Sequence, residues 1–463
     1  MFSPATYQKR RDALRRILGT GAALFMGNKD VPFNYPANTY RFRQDSSFLY
    51  FFGINDPCMA AIIDADEGKE YLFGNDATMD DIIWTGEQPS MPEKAAGAGM
   101  TEHFPYAALP DVLGSIKQHG RHIHFLPPYR GEIRIEIFRL LGIAPENQAN
   151  ASSTALIRAI VRLRSVKEPQ EIEQMEQAID TAYRMHVHIM EHARAGMMER
   201  ELCGAVEGIA SAAGGTVSFP VILTVNGQIL HNHCHDNILQ NGQLLLVDAG
   251  AENVMGYPSD ITRTVPVSGK FDERQREIYH IVLQANMEVI RICRPGMLYR
   301  DVHLAAARII ADGLTQAGLM KGNVEDAVEE GAHALFFPHG IGHALGLDVH
   351  DMENLGEDHV GYDESVSRST QFGLSALRMA RRLEPGFTVT GEPGVYFIPA
   401  LIDQWESERR FTDYIRYDAL KKFRNFGGIR VEDDLLITNQ GCRVLGKPIP
   451  KSIDEIENIR RQY

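Results

Sequence analysis

Apolar positions recur along this chain with two periods, and the places where the period changes mark its organisation. In the first third, short apolar runs at Ala22–Met26, Ala60–Asp64, 71–73 and 122–126 stand between stretches of helical period at 6–18 and 109–119. Strands and helices that interleave in this way predict an α/β domain. Pro127, Pro128, Gly131, Gly142 and Pro145, followed by the small polar stretch 147–154, break the pattern. A domain boundary is therefore expected near residue 160, dividing the chain into 1–160 and 161–463.

Beyond that point Pro169 follows Glu168 at a first-turn position, and Ile172, Met175, Ile179, Tyr183 and Val187 recur on one helical face. A strand-rich block (217–267), two helical blocks (272–293 and 299–317) and a second strand-rich block (335–446) complete the chain. Strands, then helices, then strands give an α+β second domain. No repeat of solenoid period and no low-complexity tract interrupts it.

Composition narrows the function classes. With 463 residues, 44% hydrophobic and 23% charged, the chain can bury large cores, which excludes disordered, collagenous and coiled-coil proteins. Lys and Arg number 47 against 61 Asp and Glu, a net charge of −14, which argues against a nucleic-acid partner. Five cysteines, scattered and without a C-x-x-C pair, argue against a disulfide framework and for a cytoplasmic location. No apolar run approaches the roughly 18 residues of a membrane span. Lys9, Arg10, Arg11, Arg15 and Arg16 give the start a look that a transit peptide shares, although an ordinary basic helix reads the same.

The chemistry lies in the second domain. The run QLLLVDAG ends a buried strand in Asp248, and SDITRT places Asp260 on a second strand after the turn residues Gly256 and Pro258. A hairpin would set the two carboxylates side by side, and like charges at close range raise each other's pKa unless a cation stands between them. An Arg263 or Arg276 salt-bridge network is the alternative for these two residues alone. PHGIGHALGLDVHD adds His339, His343 and His350 among glycines, and Glu392 and Glu432 lie in GEPG and GIRVEDD. Four carboxylates and one imidazole (Asp248, Asp260, His343, Glu392, Glu432) form a hard, oxygen-rich donor set that suits two divalent ions better than one structural zinc.

These motifs together resemble the proline-specific pita-bread metallopeptidases, aminopeptidase P and prolidase. The stretch YRFRQDSSFLYFFGINDP is similar to that family's N-terminal domain, so methionine aminopeptidase, which lacks such a domain, fits poorly, and creatinase, which has the fold without the metal set, also fits poorly. The resemblance implies a smaller α/β N-terminal domain before a C-terminal pita-bread domain. It implies two metals, manganese first with cobalt or zinc as alternatives, bridged by Asp260 and Glu432, with Asp248 completing one site and His343 and Glu392 the other. It makes Glu392 the proton acceptor, and His231, His339 and His350 groups that bind substrate and return a proton to the leaving proline nitrogen. Tyr396 and Arg430 match supporting positions. A homodimer and Xaa-Pro substrates are likewise implied. Relatives that keep the fold without the metal set act as non-catalytic peptide-binding modules, a third reading that the complete donor set disfavours.

Three features depart from the pattern or refine it. The Asp248-to-Asp260 interval is one residue longer than the family's, and a slip inside a paired strand would turn one carboxylate off its face, so the extra residue is expected in the turn or in a bulge. HNHCHD alternates His231, His233 and His235, which reads as a polar loop in preference to a further metal site. The segment ending GLSALRMARRLEPG looks like prolidase, where an arginine at the position of Arg378 meets the substrate's free carboxylate. That favours Xaa-Pro dipeptidase over Xaa-Pro aminopeptidase, with an exposed helix face as the alternative use of Arg378.

Overall fold

The computed structural model describes residues 1–461. They fall into two compact units, one of Met1–Arg164 with Met352–His359 and one of Ser165–Asp351 with Val360 onward. The first unit is built on a mixed five-stranded sheet of β1 (Ala22–Met26), β2 (Ala60–Asp64), β3 (Glu70–Gly74), β4 (His103–Pro105) and β5 (Ile123–Phe125). Its order is β4-β3-β2-β1-β5, with β1 antiparallel to β2 and parallel to β5. Leu24, Ile62, Phe73 and Leu113 form its apolar core.

The basic first helix, α1 (Pro4–Leu18), is wired into this unit. Arg11 is fully buried and donates to the carbonyls of Phe51 and Ala98 at 2.9 and 2.8 Å and to Glu70 at 2.8 Å. Arg10 lies over the Tyr50 ring at 4.0 Å. A buried guanidinium needs such partners to offset its lost hydration. Two of the charges that gave 6–18 its transit-like look, Arg10 and Arg11, therefore hold α1 against α2 (Ser46–Phe52), which Asp45 caps through its side chain at 3.0 Å from the Phe48 amide.

In the second unit α3 (Pro169–His192) starts with Pro169 in its first turn, and Glu171 reaches back to the Glu168 amide at 3.0 Å. Its buried stripe runs through Ile172, Met175, Ile179, Ala182, Met185, His186 and Ile189. The stripe has drifted off Tyr183 and Val187, because a 3.6-residue period does not return to the same face every fourth residue over six turns. His186 donates from Nε2 to the Ala249 carbonyl at 2.9 Å, and burial pushes its imidazole down to about 4, so it stays neutral beneath the strand that carries Asp248.

That strand, β7 (Leu244–Asp248), lies between β6 (Ile222–Thr224) and β8 (Thr262–Pro266) in an antiparallel sheet. Helices α4 (Glu273–Ile292) and α5 (Tyr299–Gln316) follow where helical period was read. The second strand-rich block is a correction. Between 335 and 387 the chain forms only short helical turns and irregular backbone, and strands begin at β9 (Thr388–Gly391). Glycines and histidines in 339–350 serve as bends around a site, and the stretch 341–345 meets β9 in a pairing too short to form a strand. The strands β10 (Gly394–Tyr396) and β11 (Gly428–Arg430) pair with each other, and β9 pairs with β12 (Asp433–Ile437), which in turn pairs with β13 (Cys442–Val444).

Candidate metal centre

The hairpin between Asp248 and Asp260 resolves the extra residue. Asp248 stands opposite Thr262, and the Ala249 amide meets the Ile261 carbonyl at 3.0 Å. The Ser259 amide meets the Ala251 carbonyl at 3.0 Å, and Glu252 bridges Pro258. One register therefore runs unbroken to the turn, where the Asn253 carboxamide oxygen accepts the amides of Met255 and Tyr257 at 2.9 and 3.1 Å. The insertion sits in this turn, and Asp248 and Asp260 share one face of the pleat. Gly250 is needed for the closeness: a Cβ there would lie 1.7 Å from the Ser259 carbonyl oxygen.

His343 arrives from the irregular loop, which zips onto β9. The Thr390 amide donates to the His343 carbonyl at 3.0 Å, the Glu392 amide to the Ile341 carbonyl at 2.9 Å, and the His343 amide to Thr390 Oγ1 at 3.1 Å. At Gly342 a Cβ would come within 2.1 Å of the Thr390 carbonyl, so only glycine permits this approach. Glu392 and Pro393 break the chain between β9 and β10, and Glu432 sits between β11 and β12 with its amide on the Thr262 carbonyl at 3.1 Å.

These elements bring Asp260, His343 and Glu432, all buried, to where one donor atom of each lies within 4.8 Å of the others. His343 Nε2 is 3.3 Å from Asp260 Oδ2 and 3.7 Å from Glu392 Oε1. Its Nδ1 faces the Ala344 carbonyl at 3.1 Å. A proton on Nδ1 is fixed by that acceptor, so Nε2 turns a lone pair toward the carboxylates. Burial first, and the neighbouring carboxylates next, push Asp260 and Glu432 well above the ordinary carboxylate range, and burial raises Glu392 to about 7. Asp248 Oδ1 is buried with no hydrogen-bond partner. Lone pairs converging on one point without donors form the environment of a cation, so the residues fit divalent metal ions.

Around this cluster runs a hydrogen-bonded chain. Arg430, buried, donates to Asp248 Oδ2 at 2.6 Å, to Thr262 Oγ1 at 3.0 Å and to the Tyr396 hydroxyl at 2.8 Å. His339 gives Nδ1–H to the Gly340 carbonyl at 2.8 Å, which leaves Nε2 to accept from the Tyr396 hydroxyl at 2.8 Å. Burial, assisted by the Arg430 charge, pushes His339 down to about 3, and burial raises the Tyr396 hydroxyl, so imidazole and phenol both stay neutral.

The His350 ring lies tilted against His343 with centroids 4.1 Å apart, and the next residue, Asp351, pairs with buried Lys167 at 2.9 Å. His231 lies on a surface loop; partial burial, then the charge of Arg430, hold its imidazole low, and Arg378 and His350 act on it as well. Arg378 is half-buried on irregular backbone, so the helix expected for its alternative use does not form. Its neighbours are committed elsewhere, Arg381 over the Phe387 ring at 4.6 Å and Arg382 to the Gly296 carbonyl at 2.8 Å. His233 and His235 do not gather with His231 into a metal cluster among the described residues, and His235 faces the Leu223 carbonyl at 3.1 Å.

Four contributing residues escaped the sequence reading. Thr262 Oγ1 donates to Glu432 at 2.6 Å, Thr390 Oγ1 donates to Glu392 at 3.3 Å, and Asp434, fully buried, accepts the Asp260 amide at 3.0 Å. Tyr299 gives its hydroxyl to the Thr390 carbonyl. Alternation could have found Thr262, two residues from Asp260, and Thr390, two residues from Glu392; Tyr299 and Asp434 depend on contacts remote in sequence.

A family model, Metallopeptidase family M24, matches residues 173–439, which spans the whole cluster. The chain belongs to metallopeptidase family M24. The M24 chain also matches the aminopeptidase P N-terminal domain over residues 7–124. It is 32% identical over 426 residues to a Homo sapiens Xaa-Pro dipeptidase, covering 90% of this chain and 84% of that protein. An Escherichia coli Xaa-Pro aminopeptidase is 31% identical over 475 residues, covering 99% and 98%. Among solved structures, Pseudomonas aeruginosa aminopeptidase PepP superposes with a TM-score of 0.82 at 26% identity, covering 100% of this chain and 98% of that one. A zinc-substituted E. coli aminopeptidase P in complex with product gives 0.81 at 29%, covering 100% and 99%. This metallopeptidase therefore has the two-domain aminopeptidase P-like fold, with an N-terminal domain of that type and a C-terminal pita-bread domain of mixed helix and sheet.

Proposed function

We propose that this M24 chain is an Xaa-Pro dipeptidase that holds two divalent cations among Asp248, Asp260, His343, Glu392 and Glu432. The convergence of Asp260, His343 and Glu432, with Glu392 on the same imidazole nitrogen, carries the reading. When bound, such ions supply a water of lowered pKa and polarise the scissile carbonyl. Glu392 takes the proton of the attacking water. His339, His231 and His350 bind the peptide and pass a proton to the leaving proline nitrogen. Tyr396 and Arg430 keep His339 and Asp248 oriented through the hydrogen bonds described above.

Selection of a dipeptide falls to Arg378, whose guanidinium forks onto a free carboxylate. Its field acts on His231, a group assigned to the substrate. The second reading, Xaa-Pro aminopeptidase, is favoured by the end-to-end match with the E. coli enzyme. Manganese as the metal, a homodimer and a cytoplasmic location belong to the same proposal. Five free cysteines support the location and the oxygen-rich donor set supports manganese, while the dimer follows from family resemblance. The deciding experiment supplies Mn²⁺ and an equimolar Xaa-Pro dipeptide and Xaa-Pro-Yaa tripeptide, with products read by mass spectrometry. Cleavage of the dipeptide alone, and its selective loss in Arg378→Ala, supports the clamp. Equal cleavage of both, or equal losses in the variant, rejects it in favour of the aminopeptidase.

A further inference from the structure

The two cysteines Cys293 and Cys442, far apart in sequence, meet in the second unit away from the metal cluster. Cys293 follows the last residue of α4, and its amide still bonds the Val289 carbonyl at 3.1 Å. Cys442 opens β13, whose edge runs along the same helix end. A Cβ built on Gly441 would lie 3.9 Å from the Cys293 carbonyl oxygen. The Cys442 thiol donates to the Ile290 carbonyl at 2.9 Å, one turn before Cys293. Interaction between the two thiols raises Cys293 and lowers Cys442.

The remaining thiols are differently placed. Cys203 is buried, its Sγ lies 3.8 Å from Glu207 Oε1, and burial pushes it up to about 12. Cys234 is exposed with Sγ 3.5 Å from Asp236 Oδ2, and Cys58 is exposed and raised by burial of its thiol. A negative oxygen beside a thiol opposes the thiolate that reacts. Cys442 joins partial exposure to a second sulfur nearby, while Cys293 is 1% exposed.

We propose that Cys293 and Cys442 are a peroxide-sensitive thiol pair that closes reversibly into an intramolecular disulfide. The Cys442 thiolate attacks one peroxide oxygen and breaks the O–O bond, giving a sulfenic acid and hydroxide, which a proton converts to water. The Cys293 sulfur then attacks the sulfenic sulfur and displaces a second hydroxide, and the Cys293 proton makes it water. Two thiols are oxidised and one peroxide is reduced. A pair of this kind in a chain without a disulfide framework is a transient, redox-sensing one. The link would tie the end of α4 to β13, which is joined through β12 to β9, where Tyr299 holds Thr390 two residues before Glu392.

The test treats the full-length protein with equimolar hydrogen peroxide, blocks the remaining thiols with N-ethylmaleimide after denaturation, and maps the digest by mass spectrometry. The expected product is a peptide pair joined through Cys293 and Cys442, lighter by two hydrogen atoms, reversed by dithiothreitol and absent in Cys442→Ser. Alkylation of Cys293 and Cys442 with Cys58 or Cys234 oxidised instead overturns the proposal, as does Cys442 recovered as a sulfinic acid with Cys293 free. The mapping on the unmodified chain stands even if the serine variant folds poorly, and it is independent of which peptide the enzyme cleaves.

Discussion

Replacing Arg430 with Met keeps the length of the side chain and removes every donor it supplies. In the native protein this guanidinium, 4% exposed, pairs with Asp248 at 2.6 Å and bonds Tyr396 and Thr262. The variant leaves Asp248 with both oxygens unpaired, since its Oδ1 already has no partner. Removing one member of a buried ion pair costs about 3–5 kcal/mol, because the survivor stays desolvated. At about 2 °C per kcal/mol for a domain of this size, the melting temperature in EDTA should fall by about 6–10 °C. Added Mn²⁺ should raise the variant more than the native protein, because the cations take over the charge that Arg430 neutralised. Differential scanning fluorimetry at matched chelator and metal concentrations reads both numbers. A loss below about 2 °C, or an equal loss with and without metal, would refute the reasoning that Arg430 compensates Asp248 in the empty cluster.

Glu392→Gln should cut turnover by at least about 10²-fold while circular dichroism and melting stay native-like, since the amide keeps the shape but accepts no proton; near-normal turnover removes Glu392 as the base. Asp260→Asn should lower bound manganese per chain, read by elemental analysis after gel filtration, and abolish activity that native protein regains when EDTA is followed by Mn²⁺; unchanged metal content would remove Asp260 from the ligand set. Stability of the metal-free protein should fall as pH rises from about 6.5 to 8, a range in which His186 and His339, held down to about 4 and about 3, are neutral whether folded or unfolded. Glu392 is raised from 4.5 to about 7 in the folded state, so the stability it contributes is full below 4.5 and is lost as pH passes 7, with Asp260 and Glu432 acting in the same sense. Mn²⁺ should flatten or reverse that slope because it binds the deprotonated ligands, and a metal-free melting curve that rises across this range would contradict the cluster's electrostatics. At the acid end Asp433, held at about 2 by Arg263 and Lys451 against burial, acts the other way: its contribution is full above 3.8 and is lost as pH falls through 2.

The sequence by itself determined the elements with strong local signals. The runs Ala22–Met26 and Ala60–Asp64 form strands with those bounds, and Pro169 begins its helix, because alternation and capping chemistry act over a few residues. It also determined which residue types converge: carboxylates that end or interrupt buried strands are costly unless something compensates them, and that cost is visible in the order of residues alone. Tertiary structure decided what depends on partners remote in the chain. The face that Asp260 shares with Asp248 was fixed by where the hairpin placed its extra residue, in the Asn253–Tyr257 turn, a choice between turn and bulge that spacing left open. The backbone of 335–387 could not be read, because its apolar residues are buried by a surrounding fold and its short pairing of 341–345 with β9 is too brief to impose a period. Tyr299 gains its place at the site only once its helix packs on β9, Asp434 only once β12 brings it to the Asp260 amide, and Cys442 meets the Ile290 carbonyl only once β13 lies along α4. Local patterns encode the elements since burial and capping are short-range, whereas the donor geometry of a metal centre is a property of strands brought together from across the second unit.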